Sequence, residues 1–536
     1  MDFISLVFKN KLRIFLLLVI LGLITGTIHV ALLIFINDGI SSSIQGTKTT
    51  SQMLIYVSLV LLIYILLNRY LSGTLIRFSN KVVHDLRMQL MRSVLQSSYL
   101  FMKEKSEKLN AAITKDTISA ANAALLSLQF ITSLVTVAGC LAYIAYLSIL
   151  AFLILAAITI LGIIVYWLGA YKNNHHIKVG RDSEDILFHH TNEVINGFRE
   201  IKLNPAKGKE LVEGPLLKSS LDNYQHMSKG YIGYYNSNIF NQLLFYIVLF
   251  VLLFFGGEWL HIQTGILINC IIVALYIVGP LEMIMISVPG LNAGNVAATR
   301  LSEIIAAFEG KDEENEVHRD IVFDQLMLKD IEFSFPVSGS SVASKFVLGP
   351  VNFVINKAEV VFIYGGNGSG KTTFFHLILG LIKKDHGLIY LNGKSILSEQ
   401  VINNLFAPVF SDFHLFDKLY GLLNIDQEKV DFYLELFELN GKVTFDNDHF
   451  SSLNLSTGQR KRLALIAALL ENKPLLFLDE WAADQDPEFR KKFYEVIIPH
   501  IINAGFTILA ITHDDKYYHT SDVLYRMEFG KLIREK

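Results

Sequence analysis

Five long segments of this chain contain no Asp, Glu, Lys or Arg, and they restrict the possible folds more than any other feature. The segments cover residues 14–37, 49–68, 117–171, 230–257 and 259–281. A helix needs about 20 apolar residues to cross the hydrocarbon core of a bilayer. Four segments therefore fit one crossing each. The third, with 55 residues, fits two crossings joined by a tight turn near Tyr146–Ser148.

We therefore predict six transmembrane helices. They cover residues 14–36, 51–73, 123–146, 149–171, 236–257 and 261–286. The first follows Lys9, Lys11 and Arg13, as the apolar region of a signal peptide would. However, it is too long for such a region and has no convincing small-residue cleavage site. A retained helix is the prediction.

Lys and Arg are distributed unevenly between the loops. Eight lie in residues 77–115 and nine in 172–229, whereas the three alternate loops contain only Lys48. Loops rich in Lys and Arg remain in the cytoplasm. Both termini and the two long loops are therefore predicted to be cytoplasmic.

The two long inward loops, residues 77–122 and 172–235, contain few Gly or Pro and have mixed charges. This pattern predicts that the transmembrane helices continue into the cytoplasm and contact another part of the protein there. Polar turns near Ser97–Lys103 and Asn204–Lys209 are expected at the tips. Solvated loops without a partner are the alternative.

The sixth helix is expected to continue to Phe308, where the long apolar segments end. A charged linker over 309–320 follows, which is typical of a domain boundary. Beyond it, short apolar segments alternate with helical ones, as in an α/β domain. The predicted domains are a transmembrane domain over 1–308 and an α/β domain over 321–536.

The total composition agrees with this division. Charged residues make up 18% of the chain, against about 25% in soluble domains. The net charge of −3 argues against a nucleic-acid partner, which would require a basic surface. Two cysteines exclude a disulfide scaffold.

A glycine-rich loop follows the apolar strand predicted over Val360–Tyr364. Its sequence matches the pattern G-x-x-x-x-G-K-[ST], and a helical stretch over 373–382 follows it. Strand, loop and helix in this order indicate a P-loop, in which backbone N–H groups and a helix N-terminus bind phosphate. The candidate ATP-binding residues are Gly365, Gly366, Asn367, Gly368, Ser369, Gly370, Lys371, Thr372 and Thr373. Lys371 is expected to reach the β- and γ-phosphates, and the Thr372 hydroxyl to bind Mg²⁺.

A second apolar strand, predicted over 475–478, ends in two carboxylates, Asp479 and Glu480. Beside a P-loop, Asp479 would hold Mg²⁺ directly or through water. Glu480 would orient and polarise the attacking water, which makes it a candidate catalytic residue.

Between these two motifs lies Leu455-Ser456-Thr457-Gly458-Gln459. This segment resembles the signature motif of ATP-binding-cassette (ABC) proteins, usually LSGGQ, with Thr457 in place of the first glycine. The order of P-loop, signature, acidic strand and a later histidine, His513, also matches that family. The resemblance implies that His513 contacts the γ-phosphate and acts with Glu480 in catalysis.

The resemblance implies three further assignments. Phe335 lies where the family stacks an aromatic ring on adenine, and Asp486 lies in the D-loop. Ser411 or its neighbour Asp412 occupies the position of a glutamine that binds Mg²⁺ in the family.

The implied fold is a multidomain membrane protein, with a six-helix exporter-type transmembrane domain followed by an α/β P-loop ATPase domain. In the family, the P-loop and signature of one domain face opposite sides, so a complete site needs two copies. We therefore expect a homodimer in the bacterial inner membrane, with the tips of the inward loops acting as coupling helices.

Three segments suggest a narrower resemblance. Residues 409–417, 479–487 and 512–515, including Trp481, resemble the bacterial exporters of cyclic peptides and siderophores. This implies export of a cyclic peptide, a peptide siderophore or its precursor. A lipid or multidrug flippase of the same architecture is the first alternative, and an ATP-gated channel or regulatory membrane ATPase is the second.

Overall fold

The computed structural model describes residues 12–44, 51–257, 262–308, 322–334, 346–396, 400–422 and 424–536. The linker expected over 309–320 lies outside the described residues. The chain forms two compact units. The helical unit comprises Met1–Gln96 and Ser106–Gly310, and the α/β unit comprises Ser97–Lys105 and Lys311–Lys536. A short piece of the first inward loop therefore belongs to the α/β unit.

The first part of the described chain is entirely helical. Helices α1 to α9 cover Leu12–Ile44, Ser51–Leu95, Tyr99–Ala111, Thr117–Leu147, Ile149–Asn196, Phe198–Leu203, Pro205–Leu211, Leu217–Phe255 and Thr264–Phe308. Ala112–Asp116 and Val212–Leu216 are π-helical turns that join neighbouring helices. Among the described residues, six helical segments are long and apolar enough to cross a membrane, which confirms the prediction of six spans.

The helices that carry the inward loops are much longer than a bilayer requires. Helix α5 has 48 residues, which corresponds to about 72 Å at 1.5 Å per residue. The hydrocarbon core is only about 30 Å thick, so more than half of α5 lies beyond it. The first polar turn is shorter than expected, because helix resumes at Tyr99 rather than after Lys103.

The tight turn in the 55-residue apolar segment lies where it was predicted. Helix α4 ends at Leu147 and α5 begins at Ile149, with only Ser148 between them in an extended conformation. The Ser148 hydroxyl accepts a hydrogen bond from the Ala151 N–H, 3.4 Å away. Serine is a favourable residue at this position because it binds an N–H group that has no partner within the helix.

Pro289 lies inside α9 and removes one backbone hydrogen bond from this helix. The carbonyl that loses its partner is that of Met285, four residues earlier. The Tyr166 hydroxyl, from α5, donates to the Met285 carbonyl at 2.5 Å. A buried carbonyl without a partner is costly, and this hydrogen bond compensates for the one that Pro289 removes.

Small residues allow the helices of this unit to approach closely. A Cβ atom built on Gly22 of α1 would lie 2.6 Å from the Thr132 methyl group of α4. The motif Gly22-x-x-x-Gly26 is therefore used within the chain. Gly294 of α9 is tighter still, since a Cβ there would lie 2.0 Å from Cβ of Ala123 and 3.1 Å from the Ser119 carbonyl oxygen.

The later part of the described chain forms the α/β unit. Its strands β1 to β12 are Gln325–Ser334, Val347–Asn356, Val360–Tyr364, His386–Leu391, Lys394–Ile396, Phe406–Val409, Phe445–Asp446, His449–Phe450, Leu475–Asp479, Thr507–Ile511, Val523–Glu528 and Lys531–Arg534. Its helices α10 to α15 are Lys371–Ile378, Gln400–Asn403, Gln427–Leu436, Thr457–Leu470, Pro487–Lys492 and Ile498–Asn503. Helix α10 was predicted to reach residue 382, but it stops at Ile378 because Gly380 adopts a φ of +68°.

Two main sheets organise this unit. An antiparallel sheet has the strand order β2-β1-β4-β5, and a six-stranded sheet has the order β12-β11-β3-β10-β9-β6. In the second sheet, β10 is parallel to both neighbours and pairs Ile511 with Ile363 of β3 and with Asp479 of β9. The carboxyl ends of β3, β9 and β10 therefore lie side by side.

The segment 97–105 contacts the α/β unit through its first helical turn. The Tyr99 ring lies 4.8 Å from the His376 imidazole of α10, measured between centroids. Leu100 packs against the apolar cluster that includes Phe374 and Phe375 of the same helix. Helix α10 therefore contacts this tip at one end of its sequence and the glycine-rich loop at the other.

We predict that Gly294→Ala lowers the thermal stability of the protein. The added methyl group has no space between α9 and α4, and overpacking of this kind costs about 1–3 kcal/mol. Gly279→Ala, in the same helix, is the matched control because a Cβ there meets nothing within 4 Å. Melting temperatures of the detergent-solubilised variants measure the effect, and equal values would contradict the close packing of α4 and α9.

Candidate nucleotide-binding site

The loop after β3 has the backbone conformation of a phosphate-binding loop. Gly365 and Gly370 have φ values of +158° and +107°. A Cβ on Gly365 would lie 2.2 Å from the Met527 carbonyl oxygen, and a Cβ on Gly370 would lie 2.8 Å from the Phe346 ring. Glycine is therefore required at both positions for steric reasons. Helix α10 begins at Lys371, so its N-terminus points its free N–H groups at this loop.

A cavity of about 330 Å³ lies over the loop, within the size range of small-molecule sites. Its lining residues are Phe346, Asn367, Gly368, Ser369, Gly370, Lys371, Thr372, Thr373 and Glu480. Among the described residues, the buried Ser369 hydroxyl has no hydrogen-bond partner. An unpaired buried hydroxyl is costly, and a bound phosphate oxygen would satisfy it.

The Lys371 side chain is buried and folded onto the loop. Its ammonium group donates to the carbonyls of Gly365 at 2.7 Å and Gly366 at 3.1 Å. Burial lowers the pKa of Lys371, whereas the nearby carboxylates of Glu480 and Asp479 oppose this change. The cation is therefore partly desolvated, which strengthens its attraction for a phosphate group.

Asp479 ends strand β9 beside the loop. Burial raises the pKa of its carboxyl group, and hydrogen bonds from Ser411 partly offset the rise. The Ser411 hydroxyl donates to Asp479 Oδ2 at 2.9 Å, and its backbone N–H lies 3.4 Å from the same atom. Carboxylate and hydroxyl oxygens are the ligands that Mg²⁺ prefers, so Asp479, Ser411 and Thr372 are the residues here that could hold it. Asp412 has no such contact with Asp479 in the structure.

Glu480 and His513 face each other at the ends of β9 and β10. His513 Nε2 lies 3.2 Å from Glu480 Oε1, and both side chains are about half exposed. The Glu480 backbone is in the left-handed region, with a φ of +45°. Its N–H donates to the Ile511 carbonyl at 3.1 Å, which helps hold this conformation.

Lys461 also holds the Glu480 backbone, and sequence reasoning missed it. Its side chain is only 3% exposed. The ammonium group donates to the Glu480 carbonyl at 3.0 Å and pairs with Asp484 Oδ2 at 2.7 Å. In the sequence, Lys461 belongs to a basic run at the start of a helix, which is typical of a solvated surface.

The segment that resembles the signature motif forms the N-terminus of α13. Ser456 is the N-cap residue, and it exchanges hydrogen bonds with Gln459 in a capping box. Thr457 is the first helical residue, and Leu455 precedes the cap. At Gly458 a Cβ would lie 2.7 Å from the Asp484 carbonyl oxygen, so a side chain does not fit.

Arg462 connects this helix to the segment after β9. Its guanidinium group donates to Gln485 Oε1 at 2.8 Å, pairs with Asp486 Oδ2 at 3.0 Å, and lies 3.3 Å from the Phe489 ring centroid. Asp486 also caps α14, and the hydrogen bond from the Phe489 N–H lowers the pKa of its carboxyl group. Gln485 in turn donates to the Gly458 carbonyl at 3.1 Å.

The structure brings some of the predicted site residues together and leaves others apart. The P-loop, Glu480 and His513 lie at one edge of the six-stranded sheet. None of the five signature residues lines the described cavity over the P-loop. Phe335 lies outside the described residues. Phe346, an aromatic residue immediately before β2, lines the cavity and was missed by sequence reasoning.

Comparison with known families gives two matches along the chain. A model described as the ABC transporter transmembrane region matches residues 14–281, and a model described as ABC transporter matches residues 348–483. Together they cover both units.

Individual relatives and a solved structure agree with the two family matches. The chain is 30% identical to the ATP-binding protein SyrD of Pseudomonas syringae pv. syringae, over 96% of this chain and 93% of that protein. It is 25% identical to the ATP-dependent lipid A-core flippase of Pseudomonas putida, over 86% and 78% of the two chains. The solved structure of a bacterial Atm1-family ABC exporter with ATP bound has the same fold. Its TM-score is 0.75 at 16% identity, and the match covers 98% of this chain and 94% of that one.

The P-loop, the capped signature-like helix and the acidic strand thus lie in an α/β unit that follows six membrane-length helices, in a chain matched along almost its full length by an ABC relative. This chain belongs to the ABC transporter family, as a multi-pass membrane protein with an exporter fold that couples ATP hydrolysis to transport.

Proposed function

We propose that the protein exports a cyclic peptide, a peptide siderophore or its precursor across the bacterial inner membrane. The observation that carries the choice of cargo is the sequence that starts at the last residue of β9, Asp479-Glu-Trp-Ala-Ala-Asp-Gln-Asp-Pro487. It resembles that of cyclic-peptide exporters. The structure gives these residues specific contacts. Trp481, which is buried, donates from its indole nitrogen to the Lys461 carbonyl at 2.9 Å.

The proposed active unit is a homodimer with two composite ATP sites. The P-loop and the capped end of α13 belong to the same α/β unit, yet the signature residues do not line the P-loop cavity. A second copy would supply Ser456 and Gly458 to the γ-phosphate side of that cavity. Helix N-termini bind anions, so the N-terminus of α13 suits this role.

We assign roles to the remaining site residues on the same basis. Lys371 and the loop N–H groups bind the β- and γ-phosphates, and Phe335 contributes the aromatic surface for adenine. Glu480 positions and polarises water, and His513, whose Nε2 lies 3.2 Å from Glu480 Oε1, contacts the γ-phosphate. Thr372 and Asp479 would hold Mg²⁺, together with Ser411 at the position of the family's glutamine. When bound, Mg²⁺ neutralises phosphate charge.

Two observations support a cytoplasmic location for both termini and the α/β unit. Lys and Arg are concentrated in the loops at 77–115 and 172–229, which favours a cytoplasmic location for both termini. In addition, the tip at Ser97–Lys105 belongs to the α/β unit, and ATP is available in the cytoplasm. In an alternating-access cycle, ATP would bring two α/β units together. Because this tip moves with its α/β unit, the membrane helices connected to it would move as well.

A lipid flippase is the second candidate. The identity to the lipid A-core flippase, over 86% of this chain, is the observation that favours it. The two candidates predict different stimulants of ATP hydrolysis.

We predict that cyclic peptides of the siderophore class stimulate ATPase activity of the protein in nanodiscs. A cargo that binds preferentially to one conformation shifts the transport cycle toward hydrolysis. The measurement compares peptides with lipid A-type lipids at fixed ATP concentration. Stimulation by lipid alone would transfer the proposal to the flippase.

Glu480→Gln should reduce ATP hydrolysis by at least about 100-fold, because loss of a general base typically costs that much. ATP binding should persist, since the amide keeps the shape of the carboxylate. Glu435→Gln, an exposed position on α12, is the matched control. Nucleotide binding and phosphate release are measured on the same samples, and an unchanged turnover rate would show that the base is another residue.

Mixed dimers test whether the ATP sites are composite. Lys371→Ala and Ser456→Arg should each abolish ATPase activity as homodimers. A purified heterodimer of the two variants would keep one site with both motifs intact, so we expect about half of the wild-type rate if the sites are composite. An inactive heterodimer, with ATP binding still measurable in the Ser456→Arg subunit, would favour sites completed within one chain.

A further inference from the structure

Glu480, the proposed base, has a backbone conformation that a glutamate rarely adopts by itself. Its φ of +45° lies in the left-handed region, where a residue other than glycine persists only if surrounding contacts impose it. The N–H group of Glu480 donates to the Ile511 carbonyl of β10 at 3.1 Å. On its other side, the Glu480 carbonyl accepts from the Lys461 ammonium group at 3.0 Å and from the Ala483 N–H at 3.3 Å. Contacts on both sides of the residue therefore fix the backbone from which the carboxylate extends.

Lys461 is itself held in place by two neighbours. Its ammonium group pairs with Asp484 Oδ2 at 2.7 Å, and the Lys461 side chain is only 3% exposed whereas that of Asp484 is 45% exposed. The backbone carbonyl of Lys461 accepts from the indole nitrogen of the buried Trp481 at 2.9 Å. Burying a cation is costly unless it is paired, so the Asp484 carboxylate favours the position of the ammonium group beside the Glu480 carbonyl.

The same contacts join the start of α13 to the short turn Trp481–Asp484. A Cβ on Gly458, in the first turn of α13, would lie 2.7 Å from the Asp484 carbonyl oxygen. Gln485, which follows the turn, donates to the Gly458 carbonyl at 3.1 Å. The helix start and the turn are therefore packed closely, and Lys461 extends from the helix to the Glu480 carbonyl.

Lys461 does not line the cavity over the P-loop, and neither does Asp484. An effect of either residue on ATP hydrolysis would therefore pass through another group. Displacement of a catalytic group by about 1 Å can slow a reaction about 100-fold. A contact that fixes the backbone of the base can thus affect the chemical step strongly and ATP binding little.

We propose that Lys461 and Asp484 are positioning residues for ATP hydrolysis. Lys461 holds the Glu480 backbone so that the carboxylate faces the attacking water, and Asp484 holds Lys461 beside the Glu480 carbonyl. This inference rests on the proposed role of Glu480 as the base.

The test measures kcat and KM for ATP with the full-length protein in nanodiscs, together with melting temperatures. Lys461→Met keeps a side chain of similar length and removes the ammonium group. Lys473→Met is the matched control, because Lys473 also donates to a carbonyl, that of Phe406 at 3.0 Å, and pairs with a carboxylate, Glu471 Oε2 at 3.0 Å. Its contacts lie near the amino ends of β6 and β9, at the edge of the sheet opposite to Glu480.

Lys461→Met should lower kcat about 10- to 100-fold. KM should stay near the wild-type value, since the variant leaves the lining of the P-loop cavity unchanged. Lys473→Met should leave both constants unchanged. In the Glu480→Gln background, Lys461→Met should cause no further loss, because both changes act through the same carboxylate. A merely structural role would slow hydrolysis by the same factor in both backgrounds.

Asp484 provides a second variant that does not depend on the folding of Lys461→Met, because its side chain is half exposed. Asp484→Ala should lower kcat by about tenfold, since it removes a charged partner from the buried ammonium group. Asp484→Glu keeps a carboxylate within reach of Lys461 and should restore most of the rate.

Three results would overturn the proposal. They are equal kcat values for Lys461→Met and Lys473→Met, a further loss from Lys461→Met in the Glu480→Gln background, and a wild-type kcat for Asp484→Ala. A wild-type rate for Glu480→Gln would refute the proposed role of Glu480, and this inference with it. A slow Glu480→Gln beside a normal Lys461→Met would refute only the positioning role.

Discussion

The position of β10 between β3 and β9 is the constraint on which the ATPase chemistry depends. Because all three strands are parallel and in register at their carboxyl ends, the residues that follow them meet at one edge. The P-loop follows β3, Glu480 follows β9 and His513 follows β10. No long-range interaction between these side chains is needed to assemble them, since backbone hydrogen bonds between apolar strands already determine their positions.

Two buried cations then connect this edge to the start of α13. Lys461 bonds the Glu480 carbonyl, and Arg462 bonds Gln485 and Asp486. Burying a cation is costly unless it is fully paired, and both side chains have partners that compensate for the loss of water. A displacement of the capped end of α13 would therefore strain the contacts that hold Glu480. In the proposed dimer this end of α13 contacts the nucleotide of the other copy, so closure and the position of the base would be mechanically linked.

The helical unit solves a different problem, because the hydrocarbon core cannot hydrate a free backbone group. Pro289 removes one bond from α9, and the Tyr166 hydroxyl replaces it at the Met285 carbonyl. Close contacts at Gly22 and Gly294 replace the hydrophobic driving force, which is weak between helices in lipid.

The sequence by itself determined the six spans and the strands at Val360–Tyr364 and Leu475–Asp479, because long uncharged segments and short β-branched runs have few alternative structures. The P-loop was equally predictable, since its glycines occur at a fixed spacing after a strand. The sequence could not reveal that Lys461 and Arg462 are buried, because a run of basic residues at the start of a helix is usually solvated. Phe346, which lines the cavity over the P-loop, likewise carries no local signal. Only the tertiary structure decided the positions of these three residues, because each depends on contacts with residues distant in the chain. Burial of a polar group becomes favourable only when those partners are in place.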